Sequence, residues 1–66
     1  MCLSTVYMDL GDRFEELMKD VARIDAEGSG FWLINLFGEK RYIGGKIQTI
    51  DLVDDHSVIF KKAGDE

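Results

Sequence analysis

From the second position onward apolar and small polar residues are mixed so that, on an extended chain, Cys2, Ser4, Val6 and Met8 fall on one face and Leu3, Thr5 and Tyr7 on the other. Residues 3–8 are rich in β-branched and aromatic side chains and are expected to form a first strand. Asp9 to Arg13, centred on Gly11, reads as a turn. The next segment has an ambiguous period. Phe14, Leu17, Met18, Val21 and Ile24 recur at helical spacing. Yet Gly28-Ser29-Gly30 is a hairpin turn, and the apolar run 31–37 behind it needs an antiparallel neighbour. Residues 19–27 are therefore read as a strand, and 14–18 as a strand or a single helical turn. Residues 39–43 return, Gly44-Gly45 permits a sharp bend or bulge, and 46–53 form the next strand. Asp54-Asp55-His56 is a turn, residues 57–62 are the last strand, and 63–66 are a frayed tail. Five or six short strands with tight turns predict an all-β single domain spanning 1–66. Its expected form is a small closed or half-closed antiparallel barrel, SH3-like or OB-like.

Size sharpens this picture. A 66-residue chain buries only about 60% of its unfolded surface. It has one Cys and one His, so neither a disulfide nor a structural zinc cluster can reinforce it. Hydrophobic residues nonetheless make up 45% of it, more than so small a monomer easily hides. A two-fold homodimer is the expected way to cover the excess. The net charge of −5, from 13 acids against 8 bases, argues against nucleic acid, whose phosphates demand cationic contacts. The opening MCLSTVY lacks a basic region and a long apolar stretch, so no signal peptide is expected. No run reaches the length of a membrane span. With a single reduced cysteine, these features predict a cytoplasmic protein.

The cysteine carries the most pointed chemistry. The Met1 amine, the first backbone amide and the Cys2 thiolate are consecutive, so they can wrap one metal ion in small fused chelate rings. Thiolate with deprotonated nitrogen is a strong-field donor set that favours Ni(II) or Cu(II) over Zn(II). The alternative is a terminal thiol packed on a strand or left idle. Other candidates are weaker. Asp54-Asp55-His56 reads as a solvated turn, because three adjacent residues rarely converge on a metal without help from elsewhere. Met8 and Met18 are explained by packing. Trp32, inside the apolar run 31–37, is expected in the core or at a dimer contact. Asp9, Asp12, Glu15 and Glu16 resemble a solvated face. The glycines lack the setting of a phosphate loop. No Ser/His/Asp or Cys/His/Asn set can be assembled, so no catalytic residue and no enzymatic activity are expected.

Several motifs, in order, carry a resemblance. They are the Met1-Cys2 start, Tyr7-Met8, Asp20-Val21-x-x-Ile24-x-x-Glu27-Gly28, Leu36-Phe37-Gly38-Glu39, and Gly45-x-Ile47-x-x-Ile50-Asp51-Leu52. Almost end to end, the chain is similar to the CooT family of small nickel-binding proteins found beside nickel carbon monoxide dehydrogenases. The resemblance implies a homodimer of small β-barrels that binds nickel through Cys2 and serves dehydrogenase maturation. A nickel enzyme or its maturation proteins would then be partners. Hydrogenase maturation chaperones of the HypC type also begin Met-Cys-Leu on a small β-barrel. Their start continues toward Pro-Gly, whereas Ser4-Thr5-Val6-Tyr7 follows here and the chain has no proline. The competing reading is a metal-free interaction module, HypC-like or an Sm-like RNA binder, with Cys2 incidental.

Overall fold

A computed structural model describes residues 3–62; Met1, Cys2 and the tail 63–66 expected to fray lie outside them. Six strands follow one another: β1 (Ser4–Asp9), β2 (Phe14–Glu27), β3 (Gly30–Asn35), β4 (Lys40–Gly44), β5 (Lys46–Asp51) and β6 (Ser57–Lys61). They form one sheet in the order β4-β3-β2-β1-β6-β5. The all-β architecture is as the β-branched and aromatic runs between turn signals predict. Among the described residues no helix is long and apolar enough to cross a membrane.

The ambiguous segment is strand throughout, because β2 is used twice. Its first part pairs with β1, from Asp9↔Phe14 to Ser4↔Val21, and its second with β3, from Val21↔Asn35 to Glu27↔Gly30. Register shifts fall between Ser4 and Val6 and between Val6 and Tyr7 of β1, each leaving an extra residue on β2. Each extra residue breaks the two-residue alternation. The helical spacing of Phe14, Leu17, Met18 and Val21 is thus the trace of a bulged strand. Asp20, at φ 55°, marks the bend.

Two strands stop earlier than the apolar runs suggest, each because a side chain captures backbone N–H groups. The buried Asn35 accepts the N–H of Phe37 (3.0 Å) and of Glu39 (2.9 Å) on its Oδ1 and donates its Nδ2 to Glu39 Oε1 (2.7 Å). The run 31–37 therefore ends at Asn35, and Leu36-Phe37-Gly38-Glu39 is a turn built on that side chain. Asp51 accepts the N–H of Val53 and Asp54, which ends β5 two residues before the expected 53.

The barrel expected to be antiparallel departs from that in two respects. β1 and β6 pair in parallel, from Thr5↔Ser57 to Asp9↔Lys61, and among the described residues the sheet is not hydrogen-bonded into a ring. β4 and β5 are its two edges although only Gly45 separates them. One residue cannot reverse a chain into a hairpin, which needs at least a two-residue loop, so the two strands run on across the open side. Gly45 holds φ 142°, and a Cβ there would sit 2.6 Å from the Lys61 carbonyl oxygen. The sheet curls until its halves meet. Phe31 of β3 packs on Phe60 of β6 with ring centroids 5.0 Å apart, and Val6, Met8, Val21, Leu33, Ile43 and Val58 complete the core.

Candidate functional site

The start of β1 is held from both sides. Ser4, itself buried, pairs with Val21 at the bend of β2. On the other side the Thr5 N–H donates to the His56 carbonyl at 3.0 Å. The Leu36 N–H donates to the Asp20 carbonyl at 2.8 Å, so the β3–β4 turn leans on the same bend. Three segments distant in sequence therefore converge around the first residues of β1. Beside Ser4 and Val21 lies an open depression lined by these two residues, Arg23 and the apolar Ile24, Ile50, Leu52 and Val58.

This depression follows from the unclosed sheet. Ile47 and Ile50 of β5 pair with the buried Phe60 and Val58 and share their inward face. Among the described residues no strand pairs with the outer edge of β5, and the two isoleucines are 45% and 53% exposed. Leu36, Phe37, Leu52 and Val53 are exposed as well. Apolar surface thus gathers at the turns near the start of β1 and along the open edge.

The turn after β5 is shaped by Asp51. Its Oδ1 accepts the Asp54 N–H at 2.9 Å and the Val53 N–H at 3.1 Å. These two hydrogen bonds, Asp54 first, hold the Asp51 carboxyl below the usual carboxylate range. A carboxyl whose pKa is lowered by folding stabilises the turn above its unfolded pKa, and that contribution fades as pH falls through the lowered folded value. Protection of the Val53 and Asp54 amides, relative to their intrinsic exchange rates at each pH, is therefore expected to fall at pH values below about 4, and Asp51→Asn to remove most of that acid dependence. Hydrogen exchange followed by NMR checks this; equal acid response in both proteins would contradict it.

Of the residues singled out by sequence, Met1 and Cys2 lie outside the described residues. His56 is brought to the start of β1. Met8 is in the core and Met18 is packed against it, as their packing role suggests. Trp32 is not in the core. It stands half-buried opposite Tyr42, with ring centroids 5.2 Å apart, and donates its Nε1–H to Glu27 Oε1 at 3.0 Å. The face is set by register: Trp32 pairs with Asp25 and Tyr42, while the inward position next to it belongs to Leu33. Asp9 accepts the Gly11 N–H (2.8 Å) and Asp12 pairs with Arg13 (3.3 Å) at the surface. Among the described residues no group of three or more His, Cys, Asp and Glu could hold a metal ion. Sequence reasoning missed the position of His56, because β-turn signals indicate antiparallel neighbours and the pairing that brings it to β1 is parallel.

Comparison with known proteins gives a consistent result. The family model described as CO dehydrogenase accessory protein CooT matches residues 1–61. A crystal structure described as a CooT from Carboxydothermus hydrogenoformans is similar to this chain with a TM-score of 0.88 and 27% identity, covering 96% of this chain and 100% of that one. Comparison with curated proteins gives no match.

Proposed function

Since the chain belongs to the CooT family of CO dehydrogenase accessory proteins, we propose that it carries Ni(II) for the maturation of a nickel enzyme of that type. Cys2 is the indispensable ligand and Met1 supplies nitrogen beside it. The observation that carries this reading is that the family match runs back to residue 1 and so includes Met1-Cys2. The donor set fits the ion: the Cys2 thiolate with the Met1 amine and the first amide is the soft, strong-field combination that suits nickel. The described residues contain no competing donor cluster. To bind, the Cys2 thiol and at least one nitrogen release protons, so affinity rises with pH. A cytoplasmic setting keeps such a thiol reduced.

The working unit is a homodimer. A chain that leaves Phe37 76% and Val53 83% exposed near the start of β1 gains by covering them with a second copy. Two-fold symmetry can then bring both Cys2 thiolates to one ion. Nickel titration of the reduced protein, with light scattering to give the mass, is expected to plateau at one Ni(II) per two chains. A plateau at one per chain, with no change in association, would overturn the shared site.

A further inference from the structure

We propose that the seam between β4 and the first half of β2 is a docking groove for an extended, acidic segment of a partner protein, which binds there as an added strand. The two strands meet across this seam without a ladder. β4 pairs with β3 alone, and residues 14–19 of β2 pair with β1 alone, so among the described residues each has a free edge. What spans the seam is a side chain: Arg41 of β4 donates from Nη1 to the Leu17 carbonyl of β2 at 3.0 Å. A free edge offers unpaired N–H and C=O groups to an extended chain, and strand addition is a recurrent mode of peptide recognition. The groove reaches Met8 and Leu10, at the end of β1 away from Ser4, and it needs no metal.

The lining selects the occupant. The groove holds about 480 Å³, a volume typical of binding clefts. Its floor is apolar: Met8 and Ile43 are buried, and Leu10 and Leu17 pack against the core. Arg41 has the register of a core residue, opposite the fully buried Leu33 and two positions before Ile43, yet it is exposed at the rim. Its partner Leu17 offers only a neutral carbonyl. Lys62 is the second cation of the lining, and the two ion pairs of the described residues, Asp12–Arg13 and Arg23–Asp25, involve neither. Lys46 and Lys61 stand opposite each other beside this rim, a like-charge pair that an anionic neighbour relieves. Half of the chain's 8 Lys and Arg thus gather here, against Glu15 in the lining and Asp9 beside Lys61, although the whole chain carries −5. A carboxylate is the matching group, since a guanidinium can hold it through two parallel hydrogen bonds. Alternate residues of a strand share a face. An added strand therefore sets a carboxylate against Arg41 and an apolar side chain, two residues away, against Ile43.

The test titrates the full, isotope-labelled chain with the peptide acetyl-Glu-Thr-Leu-Thr-Glu-amide, which offers the same spacing in either direction. In the NMR spectrum the amide signals of residues 41–44 and 15–17 are expected to move, and the β4 amides that point away from β3 to gain protection from exchange. Replacing both glutamates of the peptide by glutamine is expected to weaken binding at least tenfold. Arg41→Gln and Lys62→Gln should each weaken it at least threefold, with circular dichroism unchanged. Lys62 is exposed and lies beyond the last strand, so its variant decides the matter if Arg41→Gln does not fold. Unmoved signals at both edges, shifts without added protection, or equal affinity for the glutamate and glutamine peptides overturns the proposal. So does tighter binding of a thymidine trinucleotide, which makes the groove a nucleic-acid site. A change in the light-scattering mass of unliganded Lys62→Gln also overturns it, because the groove then belongs to a contact between copies of this chain.

Discussion

Phe60→Ala is expected to leave the protein largely unfolded at 37 °C. Phe60 is fully buried in β6, between its partners Met8 on β1 and Ile47 on β5. Its ring also meets Phe31, so it joins the two halves of the curled sheet. Truncating a buried Phe costs about 3–5 kcal/mol. At 0.05–0.15 kcal/mol per residue, a 66-residue chain holds roughly 3–10 kcal/mol in all. The loss therefore takes most of the margin. Thermal unfolding followed by circular dichroism checks it, with Phe37→Ala as the contrast. Phe37 is 76% exposed, and its truncation should change the melting of the isolated chain little. A cooperative melt of Phe60→Ala within a few degrees of wild type would show that the sheet halves do not depend on this contact.

Cys2→Ser is expected to lower nickel affinity by about two orders of magnitude or more, since even outer-shell partners of metal ligands are worth 10–100-fold. Serine keeps the size and polarity of the side chain but does not give up its proton near neutral pH, so the soft anionic donor disappears. The fold should be indifferent. The first residues of a small domain contribute little to its core, and the described core from Val6 to Phe60 is closed by contacts among its own members. In sequence the nearest lysine or arginine to Cys2 is Arg13, so no basic side chain close in sequence prepares the thiolate and the metal must drive its deprotonation. Wild-type affinity should accordingly weaken on acidification. Isothermal titration of both proteins at several pH values, with circular dichroism of each metal-free form, separates these effects. A metal-free Cys2→Ser protein that melts or dissociates would make Cys2 a packing residue.

Much of the fold was legible because β1, β3 and β6 present β-branched and aromatic residues between clear turn signals. What remained hidden was hidden by side chains acting on backbone. Asn35 and Asp51 each capture two N–H groups and so end strands inside apolar runs that look continuous. The bulges of β2 convert alternation into an apparent helical period. The open side of the sheet depends on Gly45 being a one-residue link, which the Gly44-Gly45 pair indicates only as some form of bend. The candidate site divides in the same way. Cys2 announces itself by its position and chemistry. His56 could be placed beside the start of β1 only through a parallel pairing that joins residues some fifty positions apart, as Thr5 and Ser57 are.

Titration of the reduced wild-type protein with Ni(II), followed in the near ultraviolet, bears most directly on whether this chain is a nickel carrier. A thiolate-to-nickel charge-transfer band should grow and saturate at one nickel per two chains, and it should be absent from Cys2→Ser under the same conditions. A wild-type spectrum that shows no such band, with nickel remaining free in solution, would contradict the assignment of Cys2 and leave a metal-free accessory protein in its place.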